Sequence, residues 1–259
     1  MSERVRLGGM ALANGVLVHG PTSWACAVRL DDGTLKVVAR RKAVQASKVR
    51  NPVFRGPARI AEALGLLPAV KRALPEARLP FERRGVVAAM AGSVAVSGAL
   101  RRSRLRPGVR ELATNLLSLA PAVMALRGGE VAAYHGAEHV SIGSYEHGEA
   151  RPKEHERCGS HLVGPMVLTS AVAGVAAEHA PQRYRTAARA AGALGALTAS
   201  TEIFAWMTRN PAHPLARALA KPGHELQHRV GTDEPSAAQL EVAEAALHAC
   251  LELEHDHDA

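Results

Sequence analysis

The sequence predicts a mainly α-helical bundle with a small N-terminal β-hairpin element. Three observations point there. Hydrophobic residues fill 47% of the 259 positions while aromatics fill 3%. The apolar content is therefore mostly Ala, Val and Leu, and Ala and Leu are strong helix formers. The apolar stretches 22–30 and 34–40 flank Asp31-Asp32-Gly33, and Asp-Gly between such runs is a hairpin signal. From residue 57 onward, Ala-rich segments of helical length alternate with Gly and Pro punctuation.

In order, residues 8–21 read as strand and turn, with Gly15 and Gly20 as breakers. With the hairpin at Asp31-Asp32-Gly33 they make a β element of about 45 residues. Residues 40–50 read as a basic, solvated connector. Residues 57–74 are amphipathic, with charges at Arg59, Glu62 and Lys71. Residues 84–102 and 111–126 are more uniformly apolar and are expected in the interior. Gly128-Gly129 ends the latter, and a helix from Glu130 carries the densest cluster of chemistry. Gly143, Gly148 and Pro152 predict a loop up to His155. Two helices follow over 162–179, interrupted at Gly164-Pro165, and 184–207, ended by Asn210-Pro211 and His213-Pro214. Pro222-Gly223 reads as a turn. Residues 236–253 form a closing helix with Ser236 as N-cap, and 255–259 a frayed tail. No repeat or linker demands a second domain: one unit spans 1–259, with 1–45 as the β element and 55–259 as the bundle.

Net charge is +8 with Arg predominant, which suits an anionic small molecule or an anionic membrane face. Nucleic acid is disfavoured because aromatic stacking platforms are scarce. Cys26, Cys158 and Cys250 are few and far apart, which argues against a disulfide framework and for a reducing cytosol. No secretory signal is visible. Residues 159–177 carry no Asp, Glu, Lys or Arg and are about as long as a membrane span. They hold His161 and Pro165 and few Leu or Ile. Buried helices of a bundle explain them as well, so the expected location is cytoplasmic with peripheral membrane contact left open.

The chemistry centres on Tyr134-His-Gly-Ala-Glu-His139. On a helix His135, Glu138 and His139 share one face. His-x-x-Glu-His has the form of the inverted zincin motif, two metal-binding histidines with a general-base carboxylate. His155 and Cys158, three apart, supply further ligand types, close to known zinc spacings without matching one. The candidate metal ligands are therefore His135, His139, His155 and Cys158, with zinc the expected divalent ion. Glu138, Glu146, Tyr134 and Arg157 are the candidate catalytic side chains. Two other readings stay open: a closed four-ligand structural zinc, and a Cys158–His nucleophile pair without metal, aided by Arg157. His161 reads as a site neighbour or core histidine, His224 and His228 as a surface pair or second metal site, and His255 and His257 as solvated.

At these residues the chain resembles the YqhQ-like family, and the likeness covers nearly the whole length. Tyr134–His139 matches its most distinctive motif, Tyr145-Glu146 its next element, and His155-Glu-Arg-Cys-Gly159 its His-Pro-Arg-Cys-Gly block. Gly8-Gly9 with Gly15-Val16 and Gly20-Pro21, Arg55-Gly56, Pro222-Gly223 with Leu226-Gln227, and Glu234-Pro235 with 239–243 echo further blocks. Met10, Asn14, Val140 and His161 depart from the pattern. The resemblance implies a metal-dependent enzyme. It also implies membrane helices, which in this chain are charged or Ala-rich, as in a solubilised branch. The expectation is hydrolysis or another acid/base step on a small, anionic molecule. The rival is a non-catalytic, membrane-associated module with a structural zinc.

Overall fold

The computed structural model describes residues 4–127 and 130–258, so the expected break at Gly128-Gly129 and the terminal Ala259 lie outside the described residues. Four strands, β1 (Gly8–Leu12), β2 (Gly15–His19), β3 (Ser23–Arg29) and β4 (Leu35–Arg41), form an antiparallel meander in sequence order. The β3–β4 turn falls at the expected Asp-Asp-Gly. Gly33 has φ +85°, a region costly for residues with a Cβ, and Asp32 accepts from the Thr34 amide at 2.9 Å. β2 and β3 are covered on both faces, which explains their nearly continuous apolar sequences. One face packs Val16, Val18, Ala25 and Ala27 against Tyr134, Ala137 and Ile142 and against Val242, Ala246 and Cys250. The other packs Leu17, Trp24, Cys26 and Val28 against Leu66, Val70 and Leu74.

The helices are α1 (Pro52–Ala73), α2 (Arg84–Arg102), α3 (Pro107–Leu117), α4 (Ala120–Leu126), α5 (Val131–His147), α6 (Val163–Glu178), α7 (Arg185–Arg209), α8 (Pro214–Leu226) and α9 (Ala237–Asp258). The mainly helical class with an N-terminal β element holds. Several boundaries differ for physical reasons. α1 starts five residues before Pro57, because the Asn51 side chain caps it by accepting from the Val53 amide. The expected 111–126 helix is broken at Ser118-Leu119. Pro121 lacks an N–H and its ring would strike the carbonyl of Leu117, and that carbonyl instead accepts from Ser93 Oγ at 3.3 Å. α5 runs through Gly143 to His147 and ends at Gly148, φ +77°. Pro165 sits in the first turn of α6, where its missing N–H costs nothing, so no interruption occurs there.

Pro222-Gly223 is not a turn but part of α8. Gly223 lies directly against the backbone of Ser160 and His161, where a Cβ would be 2.5 Å from the Ser160 carbonyl oxygen. Helix packing overrides the local breaker signal. α9 begins after Ser236, whose Oγ and amide meet the Gln239 side chain, and it continues through the tail expected to be frayed.

Two expectations about burial are corrected. The 40–50 connector is not simply solvated: Lys42 is buried, its side chain 1% exposed, and it pairs with Glu62 of α1. Nor are α2 and the 107–126 stretch interior. Val87, Val94, Leu112 and Leu116 are 44–75% exposed. The stretches Pro107–Leu126 and Gly159–Glu178 are long and apolar enough to cross a membrane, and only 17% of the most apolar part of each is buried inside the protein.

Candidate metal centre

α5 carries the motif residues on the face it turns toward β1 and the 151–162 segment. Gly136 lets α5 approach the chain after α8: the Asp233 carbonyl oxygen fills the space a Cβ would need, and the Asp233 amide donates to the Ala132 carbonyl at 3.0 Å. The loop following Gly148 returns along α5 and enters a 3-10 turn, Gly159–Leu162, with Cys158 as its N-cap. Ligand atoms of His135, His139 and Cys158 thereby converge within 4.8 Å of one another. Cys158 Sγ is 3.5 Å from His135 Nε2 and accepts from the Ser160 amide at 3.5 Å.

Each histidine is held at its other nitrogen. His135 Nδ1–H donates to the Gly231 carbonyl at 2.7 Å, and His139 Nδ1–H donates to the Lys153 carbonyl at 2.6 Å. A carbonyl only accepts, so the proton of each neutral ring must sit on Nδ1. Both Nε2 lone pairs are then free and aimed at the thiol, the tautomer that metal-bound histidines adopt when a carbonyl orients them. Burial, foremost, holds His139 below the ordinary histidine range and so in the neutral form. The donor set fits a soft-to-borderline divalent ion such as zinc.

Beside the cluster is a cavity of about 160 Å³, walled by Gly8, Gly9, His19, Glu138, His155 and Arg157 among others. Glu138 is 6% exposed, with Oε2 3.9 Å from His135 Nε2. Burial pushes its carboxyl above the usual range, against the pull of His135 and His155. Gly9 of β1 makes room for it: a Cβ there would be 2.5 Å from Glu138 Oε1.

His155 stands apart from the three converging ligands. Its Nδ1 accepts from the Arg157 amide at 3.3 Å, so its Nε2–H faces Glu146 Oε2 at 3.2 Å. Its ring centroid is 5.5 Å from that of His139. Glu146 also accepts from Arg157 Nη1 at 2.6 Å. Burial works to raise the Glu146 carboxyl, but His155 and Arg157 outweigh it and hold it below the usual carboxylate range. Glu146 therefore orients His155 and Arg157 and does not line the cavity. Tyr134 is 3% exposed within the α5–sheet–α9 core and is also absent from the cavity wall. His161 is buried, its Nδ1 accepting from Gln227 Nε2 at 3.3 Å. His224 and His228 stack 6.4 Å apart, and His228 bonds Glu154 rather than a metal cluster.

Two residues matter that motif spacing does not single out. Gln227, fully buried, accepts from the His155 amide at 2.9 Å and donates to the His155 carbonyl and to Ser160 Oγ. It fastens both ends of the segment bearing Cys158. Its sequence signal was only its place in a C-terminal block. His19 lines the cavity from the end of β2, and a lone histidine after a strand carries no spacing signal.

The fold and site together define a helical protein with a three-residue His/His/Cys cluster beside a carboxyl-bearing cavity. Residues 126–253 match the model of a family described as "Protein of unknown function (DUF1385)". The matched stretch contains the cluster, Glu138, Glu146 and Gln227, and excludes the sheet. No curated protein and no solved structure matches the chain.

Proposed function

We propose that this chain is a metal-dependent enzyme that carries out hydrolysis or another acid/base step on a small, anionic substrate. The observation that carries this is the cluster itself. Three ligand atoms lie within 4.8 Å, two of them imidazole nitrogens freed by Nδ1–H bonds to carbonyls, next to a small cavity. Three protein ligands with a side open to a cavity is the pattern of catalytic rather than structural zinc. His135, His139 and Cys158 would hold the ion. A divalent cation bound there supplies Lewis acidity toward an oxygen of water or substrate. Glu138 is within reach to take or return a proton at that oxygen, and Gly9 and the sheet keep bulk water from it. Arg157, at the rim and held by Glu146, offers its remaining guanidinium donors to an anionic group.

A membrane location is part of the same reading. The exposed Val, Leu and Met side chains of α2, α3 and α6 form more apolar surface than a monomer in water ordinarily presents. The two span-length stretches lie within those helices and α4. Extraction of native membranes with alkaline carbonate should leave the protein in the pellet, and release into the supernatant would refute membrane insertion.

The activity is tested by metal analysis of the purified protein together with turnover of chromogenic phosphate and carboxylate esters. About one equivalent of metal is expected, and Glu138→Gln should keep the metal and lose turnover by 10²-fold or more, on the order of a general-base contribution. Unchanged turnover in Glu138→Gln would remove the carboxylate from the chemistry. Activity that depends on Cys158 in protein with no metal would favour the thiol nucleophile instead.

A further inference from the structure

His19 faces the metal cavity from the sheet, and the chemistry above does not use it. It ends β2 directly opposite Gly8 of β1. Its ring lies over that glycine, where a Cβ would be 3.0 Å from Nε2. Nδ1 is 3.1 Å from Lys42 Nζ, which also donates to Glu62. Glu62 in turn accepts from the Ala46 amide. The pair is buried, with side chains 1% and 10% exposed. An ammonium offers only hydrogens, so Nδ1 must accept, and the neutral ring carries its proton on Nε2. Burial first, then the Lys42 charge, bring the His19 pKa down to about 4, with Glu62 and a hydrogen bond to the Gly20 backbone opposing. The ring lines the cavity shared by His135, Glu138, His139 and Cys158.

The tautomer decides the role. With its proton on Nε2 and Nδ1 taken by Lys42, the ring has no lone pair for a cation; it offers an N–H donor on a ring that lines the cavity. We infer that His19 is a substrate-binding residue whose Nε2–H donates to an oxygen of a carboxylate- or phosphate-sized group seated beside the metal cluster, with Lys42 and Glu62 as the positioning pair behind it. This rests on the metal-centre reading and adds the recognition of the substrate's anionic end. Size agrees: about 160 Å³ holds a small oxyanion group and little more. So does charge, since His19 and Arg157 bring donors to its wall and a bound cation would offset Glu138. The sheet is thereby part of the substrate site.

The test uses the full-length protein in detergent micelles, with cobalt(II) as the metal and inorganic phosphate and acetate as separate probes. Visible absorption reads cobalt binding and its perturbation by each anion. His19→Ala should leave cobalt affinity within about twofold and weaken one or both anions by tenfold or more, the scale of one hydrogen bond to a charged group. His19→Gln, which keeps a donor, should recover part of the loss. Whichever anion shows the larger effect identifies the head group. In metal-free protein, imidazole ¹⁵N spectra should give His19 the Nε2–H tautomer near pH 7, assigned by the peak that His19→Gln removes. Anion affinities unchanged in His19→Ala, or an Nδ1–H tautomer, would overturn the inference. Wild-type protein that takes up no cobalt would refute the metal centre instead. The tautomer, and the shift of the His19 resonance with added phosphate, would then still decide His19 by themselves.

Discussion

Removing the Glu254 carboxylate should unfasten α9 from the sheet, with a cost that depends on what replaces it. Glu254 is 5% exposed. Its Oε1 accepts from the Thr22 amide at 2.9 Å, the Ser23 amide at 2.7 Å and Ser23 Oγ at 2.6 Å, and its Oε2 accepts from Thr22 Oγ1 at 2.8 Å. Glu254→Gln preserves the shape and one carbonyl oxygen, so the three bonds to Oε1 survive as neutral ones. A charged bond exceeds a neutral one by roughly 1 kcal/mol, which over three bonds makes a loss of about 2–3 kcal/mol once the cheaper desolvation of an amide is counted. Glu254→Ala instead leaves the Thr22 and Ser23 amides without their acceptor, while the Ser23 hydroxyl keeps the Cys250 carbonyl at 3.2 Å, and should cost about 4–5 kcal/mol. At roughly 2–4 °C per kcal/mol for a chain near this size, the midpoints should fall by about 5–10 °C and about 10–15 °C. Thermal melts in mild detergent, followed by circular dichroism, read both. Burial works to raise the Glu254 carboxyl, but the Ser23 and Thr22 bonds outweigh it, and its pKa is held below the usual range. A depressed acid stabilises fully above its unfolded-state pKa and loses that contribution as pH falls through the folded-state value. The wild-type advantage over Glu254→Gln should therefore be complete near pH 7 and fade below about pH 4. A Gln variant as stable as wild type at pH 7, or an Ala variant no worse than Gln, would refute the reasoning.

Gly9→Ala should drive Glu138 from its position, since the added methyl would be 2.5 Å from Oε1; turnover should fall, with about 1–3 kcal/mol of stability lost to overpacking, and full activity at wild-type stability would contradict the packing described. Gln227→Leu should lower metal affinity about 10–100-fold by loosening the Cys158 segment, measured by competition with a chromogenic chelator. Lys42→Ala leaves Glu62 buried without its cation and should cost about 3–5 kcal/mol; a smaller loss in the double variant Lys42→Ala/Glu62→Ala, compared by thermal melts, would show the stranded charge to be the cause.

The strands and the longest helices were legible because local signals and burial agree there. Asp31-Asp32-Gly33 turns where its backbone preference says, and α2 spans Arg84–Arg102 as its apolar run suggests. What resisted was anything decided by a distant neighbour. Gly223 stays helical because Ser160 needs its bare backbone, and Lys42 is buried because Glu62 awaits it across the sheet edge. Uniform apolarity in α2 and α3 suggests an interior position, yet composition does not tell a core helix from one whose apolar side chains stay exposed. At the site, helical spacing placed His135, Glu138 and His139 on one face, and Cys158 joined them. Spacing could not reveal that Glu146 claims the Nε2–H of His155, a pairing set by how the 151–162 segment lies along α5.

That β1 and β2 supply part of the cavity wall has a practical consequence for anyone preparing shortened forms. The family-matched region, 126–253, holds His135, His139 and Cys158, but Gly8, Gly9 and His19 belong to the chain before it. A fragment cut to that region would keep the imidazoles and thiol while exposing Glu138 and Ile142 to solvent. Its carboxyl would titrate as an ordinary acid, and such a piece would report on metal uptake without reporting on the intact protein's chemistry.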